Sequence, residues 1–557
     1  MRTFSRFRVT LLAIDVLSWP AKRLVFSICL VLGLSHQAMA LSMPSYSQVR
    51  SHFHASDIQI LDRHGQVLDQ VRTDFAIRRG QWIELDDISI ALQRAVIRSE
   101  DQRFYDHGGV DWQSVLGAAW SNITGQSRRG ASTLTMQVLG FIDEMHRRNG
   151  GRSLVQKFDQ AMDARELEQD WSKAQILETY LNLASYRGEL VGVDALSRVM
   201  FQKRASGLNS RESALAAVLL RGPNASPSVL NERTCRLLRE LGEAQECNGL
   251  SDFIHIALRR RAAQWADASR LAPHYARMIV GIMAGSNDVR QNRSITTSLD
   301  ADLQRFVIDT THRHIQALGR SHASDAAVVV LDNATGEVLA YLGSTDDLSG
   351  APEVDHARAR RQAGSTLKPF LYAQALEQMR ITAASLLDDS AMNLESGGGQ
   401  YVPQNYDKQF SGWVSARTAL ASSLNIPAVR VLLLLTPDVF VRHLQAVGLP
   451  LTHTGDYYGY SLALGSADVN LLTLTNAYRS LANLGVYSPV RYSLNANQEL
   501  STVRSVTKEA AWIIGDILSD RQARSRTFGL DSPLSTPFWT AVKTGTSKDM
   551  RDNWCLG

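Results

Sequence analysis

The stretch "QAGSTLKPFLYAQALEQ", residues 362–378, opens on small, turn-forming residues and runs into apolar positions three and four apart. That change of pattern predicts a helix over Thr366–Arg380. Ser365 and Lys368 stand three apart at its start, so their side chains share one face. A serine hydroxyl is a weak nucleophile until a neighbouring base takes its proton. A lysine desolvated beside other cations loses enough of its charge to act as that base, and a helix start favours negative charge developing nearby. A Ser-x-x-Lys pair arises by chance about once or twice in a chain of this length, so its weight depends on what surrounds it.

Two further pieces lie downstream. "ALASSLNIPAV" supplies Ser423-x-Asn425 in a helical stretch expected over Ser415–Leu435, and a third helix is expected over Leu471–Leu484. "FWTAVKTGTSKDMRDNWCLG" places Lys543-Thr544-Gly545 on a predicted last strand. The order of nucleophile, Ser-x-Asn and Lys-Thr-Gly, each in a fitting local setting, resembles the transpeptidase domain of penicillin-binding proteins. The resemblance implies that Ser365 attacks a D-Ala–D-Ala carbonyl with Lys368 as base. Ser423 is then a proton relay and Asn425 positions the substrate amide. Lys543, Thr544, Gly545 and Thr546 bind the terminal carboxylate, with the oxyanion between the N–H groups of Ser365 and Thr546. β-Lactams are expected to acylate Ser365.

Upstream, "VIRSEDQRFYDHGGVDWQSVLGAAW" (residues 96–120) closes a helical run on Glu100-Asp101, followed by Phe104, Tyr105 and His107. "RGASTLTMQ" and "RSLVQKFDQAMDARELEQDWSKAQILETYLN" come next. This order resembles the glycosyltransferase family 51 domain, which polymerises lipid II. By that resemblance Glu100 is the general base that deprotonates an attacking sugar hydroxyl. Asp101, Ser132, Thr133 and Gln137 contact substrate. Arg152 and Lys157 neutralise the pyrophosphate leaving group, with Arg128 and Arg129 nearby. Ala131, Met136 and Gln160 replace a Gly, a Gln and a Glu of the family pattern. The amide of Gln160 argues against strong divalent-metal dependence. No cofactor is expected to be required, a Mg or Mn ion at the pyrophosphate site being the possible exception.

Together the motifs resemble the class A, bifunctional penicillin-binding proteins, in particular their 1C branch, from about residue 24 onward. The implied fold is a mainly α, lysozyme-like glycosyltransferase domain followed by an α+β transpeptidase domain of the serine β-lactamase type. Expected boundaries are 1–44 for a cytoplasmic tail and anchor, 45–232 for the glycosyltransferase, 233–294 for a linker and 295–557 for the transpeptidase. Hairpins are expected at "IQILDRHGQVLDQV" and around Asn333–Gly336. Family members continue beyond the strand begun at Arg551–Gly557, so the chain reads as C-terminally truncated, its sheet incomplete and the motif strand near an open edge.

A length of 557 residues calls for more than one core, and 44% apolar with 20% charged residues is ordinary for globular domains. A net charge of +4 gives no reason to invoke nucleic acid. Arg2, Arg6, Arg8, Lys22 and Arg23 precede an apolar run, and Leu24 to Met43 makes about 30 Å of helix. Such a segment anchors the chain in the inner membrane with its N-terminus inside, or is a signal peptide cleaved near "AMA". Either sends the body to the periplasm. Cys235 and Cys247 pair in an oxidising compartment or stay free, and no metal-ligating spacing is present. Expected partners are lipid II and glycan strands, D-Ala–D-Ala stem peptides, the membrane and cell-wall proteins, with β-lactams and moenomycin as inhibitors. Two rival readings remain: a serine carboxypeptidase or β-lactamase-type hydrolase, and a non-catalytic or glycosyltransferase-only cell-wall scaffold.

Overall fold

The structure, a computed structural model, describes residues 43–115, 132–146, 154–260, 270–283, 294–319, 323–396, 399–494 and 501–557. The expected anchor therefore lies outside the described residues. Among those described, no helix is long and apolar enough to cross a membrane. Two compact units are seen, one within Met1–Ala55 and Ala76–Trp265, the other within Ser56–Phe75 and Ala266–Gly557.

The first unit is mainly helical, as its 3.6-residue apolar period requires. Helices Ile90–Glu100, Leu134–His146, Lys173–Leu183 and Ser210–Arg221 contribute Leu92, Val96, Val138, Leu177, Leu181, Leu215 and Leu219 to one core. Two of these helices begin in capping boxes, Ser172 with Gln175 and Asn209 with Glu212. Each box satisfies two otherwise orphaned backbone donors and fixes where the helix starts, hence which residues end it.

In the second unit, strands Val328–Leu331 and Val338–Leu342 form the expected antiparallel hairpin. Helices Lys368–Glu377, Asn425–Leu435, Leu471–Ala482 and Lys508–Ser519 enclose a second core around Phe370, Leu432, Leu474 and Ile514. The motif strand Lys543–Thr546 pairs antiparallel with Asn553–Leu556. Among the described residues this pair and the Val328–Leu342 hairpin are separate two-stranded sheets.

The structure differs from the sequence reading in three places. The hairpin Asp57–Leu61/Val67–Arg72, expected inside 45–232, belongs to the second unit. Its strand Asp57–Leu61 pairs in parallel with Ser294–Thr296, and Ile58, Ile60 and Leu68 are buried with Tyr275, Ile279 and Tyr341. Second, the stretch 233–294 is not simply a connection. Leu237, Leu238, Leu250 and Ile254 are buried in the first core, while Tyr275, Ala276 and Ile279 are buried in the second unit. Apolar residues three and four apart on short, basic helices conceal how much they bury. Third, the helix expected over Ser415–Leu435 is two helices, Ala416–Ala421 and Asn425–Leu435.

Candidate active sites

The break between those two helices shapes the second unit's site. Ser423 adopts φ +59°, in the left-handed region. Its N–H donates to Leu420 O, and the Leu424 N–H donates to Ala419 O. These paired bonds are a Schellman ending with serine where glycine is usual. A non-glycine residue there costs about 1–2 kcal/mol, a strain typical of functional positions. The turn leaves the carbonyls of Ser423 and Leu424 outside any helix, where they accept hydrogen bonds from Lys368 Nζ at 2.7 and 3.1 Å. Asn425 Oδ1 accepts a third from the same nitrogen at 2.7 Å.

Lys543 approaches from the other side. Its Nζ donates to Ser423 Oγ at 2.8 Å and to Thr544 O at 2.7 Å. Both lysines are almost wholly removed from water, Lys368 being 0% and Lys543 3% exposed. Burial, reinforced by the charge of Lys543, pulls Lys368 well below the ordinary lysine value. Burial brings Lys543 down to about 7. Two cations close together in a dry site cannot both stay charged cheaply.

Ser365 sits half-buried in the single turn Gly364–Leu367 that leads into Lys368–Glu377. Glycines hold this turn against its neighbours. At Gly364 (φ +56°) a Cβ would come within 2.4 Å of Thr546 O, and at Gly465 (φ +78°) within 1.9 Å of Gly364 O. Strand Lys543–Thr546 thus lies directly on the turn that carries Ser365, and the Gly364 N–H donates to Gly465 O at 3.1 Å. Tyr478 OH donates to Thr366 O at 2.7 Å from a third side.

The seven transpeptidase residues expected from their motifs are therefore brought into one cluster with Gly545, and two details depart from expectation. Among the described residues no hydrogen bond joins Ser365 to Lys368, the lysine being drawn to residues 423–425. Asn425 is engaged at both ends, its Nδ2 donating to Gln404 O and its backbone N–H to Asn405 Oδ1. Gln404, Asn405, Gly465 and Tyr478 were missed. A glycine in "LALGSADV" gives no sign from sequence that another backbone presses on it.

In the first unit Glu100 is the last residue of Ile90–Glu100, and its side chain is 9% exposed. Its carboxylate receives Arg221 Nε at 3.2 Å, Ser99 Oγ at 3.2 Å and Gln137 Nε2 at 3.5 Å. Burial raises its pKa above the ordinary carboxylate value, against the opposing pull of Arg221 and the two hydrogen bonds. Tyr180 OH donates to Gln137 Oε1 at 3.4 Å. Arg221, which closes Ser210–Arg221, was missed although its helix was read. No spacing links it to Glu100.

Asp101, expected on the substrate, turns inward instead. Buried, it accepts the Leu134 N–H at 3.0 Å and faces His107 Nε2 at 3.1 Å. It anchors the entry to Leu134–His146. Thr133 is likewise buried, its hydroxyl donating to Gly109 O at 2.6 Å, while Ser132 is exposed beside it. Lys157 and Gln160 lie on helix Leu154–Asp170. Arg128, Arg129, Ala131 and Arg152 lie outside the described residues, as do the side chains on which a divalent ion would depend. Among the described residues no group of three or more His, Cys, Asp or Glu could hold a metal. Cys235 and Cys247 form a disulfide with Cα atoms 5.2 Å apart, resolving the alternative left open by sequence.

Two families match the two units: Transglycosylase over residues 64–242 and Penicillin binding protein transpeptidase domain over residues 326–553. The chain thus carries one mainly helical transglycosylase domain and one penicillin-binding protein transpeptidase domain. It belongs to the class A penicillin-binding protein family. It is similar to penicillin-binding protein 1C of Escherichia coli, 34% identical over 87% of this chain and 61% of that protein. It is also similar to penicillin-binding protein 2D of Bacillus subtilis, 29% identical over 72% of this chain and 59% of that one. The chain thus spans about three-fifths of the length of these relatives. A crystal structure of penicillin-binding protein 1A from Haemophilus influenzae shares the fold, with TM-score 0.53 and 18% identity over 90% of this chain and 86% of that one.

Proposed function

We propose that the chain is a peptidoglycan synthase that polymerises lipid II in its first unit and cross-links stem peptides by serine acyl transfer in its second. One observation carries the reading. Motifs at 365–368, 423–425 and 543–546, far apart in sequence, meet in one cluster with two desolvated lysines on either side of Ser423.

In the second unit Ser365 Oγ attacks the carbonyl of a D-Ala–D-Ala peptide, and Lys368, whose charge is disfavoured by burial beside Lys543, accepts its proton. Ser423 Oγ accepts a hydrogen bond from Lys543, which leaves its own O–H directed elsewhere, toward a leaving amine. The developing oxyanion lies between the N–H groups of Ser365 and Thr546, an arrangement supported by the closeness of Thr546's backbone to Gly364. Lys543, Thr544 and Thr546 take the substrate carboxylate. Asn425 exchanges its Gln404 contact for the substrate amide.

In the first unit the buried Glu100, its pKa raised by that burial, removes the proton from a sugar hydroxyl as it attacks the lipid-linked anomeric carbon. Gln137 and Ser132 line the approach, the buried Thr133 holds the backbone next to them, and Lys157 and Arg152 neutralise the departing pyrophosphate. A divalent ion, where bound, would add charge neutralisation there. The Cys235–Cys247 disulfide supports an exported, periplasmic body, with an N-terminal segment in the inner membrane. Moenomycin is expected to block the first site and β-lactams the second.

Fluorescent penicillin tests the second site. The wild type is expected to be labelled covalently and Ser365→Ala not at all, whereas an unlabelled wild type would contradict the assignment.

A further inference from the structure

Glu100 ends its helix inside a small cage built by separate elements. Among the described residues, the groups facing it are Ser99 from its own helix, Gln137 from Leu134–His146, Tyr180 from Lys173–Leu183 and Arg221 from Ser210–Arg221. Tyr180 is neutral, since burial pushes its hydroxyl well up. The neighbouring Asp101 is turned away toward His107 and Leu134. Arg98, also on this helix, is paired with Glu240. Positive charge reaches the carboxylate from Arg221, whose Nε stands 3.2 Å from Oε1.

We propose that Arg221 is a positioning residue for the glycosyl-transfer base, orienting the Glu100 carboxylate and supplying the counter-charge that a buried anion needs. The inference rests on the reading of the first unit as a glycan-polymerising site. The pair is asymmetric: the Glu100 side chain is 9% exposed and that of Arg221 59%. Two exposed partners would contribute little, but a buried carboxylate deprived of its cation takes up a proton instead. A protonated Glu100 cannot accept the sugar hydroxyl's proton. The placement of Arg221 follows from its helix. The Asn209/Glu212 capping box sets the start, Leu215 and Leu219 are buried along one face, and Arg221 falls on the last turn. A cation there is also favoured by the helix dipole. Gln137 and Ser99 hydrogen-bond the same carboxylate without charge, so they orient it but cannot replace Arg221.

The test is lipid II polymerisation by the full chain across pH 5–9, comparing wild type, Arg221→Met and Arg221→Lys, with thermal melting to confirm folding. Loss of the guanidinium is expected to move the acidic limb of kcat/KM upward by about one pH unit. Activity of Arg221→Met then falls by up to about tenfold at the acidic end of the range and recovers toward wild type at the alkaline end. Arg221→Lys restores most of the loss. Should Arg221→Met not fold, Arg221→Gln carries the same expectation. An equal loss at every pH, or none, overturns the positioning role while a polymerising wild type leaves the site's function standing. A wild type that makes no polymer overturns both.

Discussion

Lys543 Nζ lies 2.8 Å from Ser423 Oγ, joining the Lys-Thr-Gly strand to the Ser-x-Asn turn inside the second unit. The bond ties the protonation of a buried lysine to the orientation of the hydroxyl proposed as a proton relay. A strained turn on one side and a desolvated cation on the other are both costs to folding, and both stand where the proposed acyl transfer would use them.

The lysine sets a pH dependence of rate. With Lys543 brought down to about 7, its carboxylate-binding charge is lost as pH rises through neutrality. Penicillin acylation, followed as kcat/KM or its second-order equivalent, is expected to show an alkaline limb with an apparent pKa near 7. Lys543→Arg, which stays charged, should remove that limb whatever its effect on the maximum rate.

The same shift sets a pH dependence of stability. Between pH 7 and the ordinary lysine value of 10.5, the unfolded chain holds a proton at Lys543 that the folded chain has released. Stability therefore rises with pH across this window and is level below it. Thermal melting of Lys543→Met against wild type should show the variant gaining most at pH 7 and least at pH 10.

Ser423→Gly separates the hydroxyl from the backbone it sits on. Glycine relieves the left-handed strain at φ +59°, so the variant is expected to melt higher, by up to about 1 kcal/mol of added stability. Losing the hydroxyl should slow acylation by about 100-fold, the ordinary scale of a proton-transfer group. A more stable protein that reacts slowly is the result to look for. Unchanged acylation would remove Ser423 from the reaction.

Gly465→Ala tests how the Ser365 turn is held. A methyl group 1.9 Å from Gly364 O cannot be accommodated without moving the turn that carries Ser365. About 2–4 kcal/mol of destabilisation and loss of penicillin labelling are expected, read by melting and by gel fluorescence.

The Cys235–Cys247 disulfide ties the helix Pro227–Glu240 to the turn Ala244–Cys247. Closing a loop of this length stabilises by about 3 kcal/mol in the chain-entropy account. Reduction, or Cys235→Ser with Cys247→Ser, should lower the melting of the first unit while penicillin labelling of the second persists.

Residues of the second unit's cluster that stand in short patterns were legible in the sequence. Ser365, Lys368, Ser423, Asn425 and Lys543 each declared themselves by a short pattern in a fitting local setting. Partnerships between distant helices were not. Arg221 looks like any basic residue at a helix end until its helix is packed beside Ile90–Glu100. Asp101 shows the converse, since a motif position does not reveal whether a carboxylate faces a ligand or a backbone N–H. The hairpin at 57–72 was read correctly as a hairpin but assigned to the wrong unit. Pairing with Ser294–Thr296 is a long-range contact that alternation cannot express.

The central claim is that two chemistries reside in two units of one chain, and lipid II turnover tests it most directly. Products from wild type, Glu100→Gln and Ser365→Ala would be separated by chain length and by cross-linking. The account predicts cross-linked polymer from wild type, uncross-linked polymer from Ser365→Ala, and no polymer from Glu100→Gln, which still binds penicillin. Polymer made at the wild-type rate by Glu100→Gln, or cross-links formed by Ser365→Ala, would contradict it.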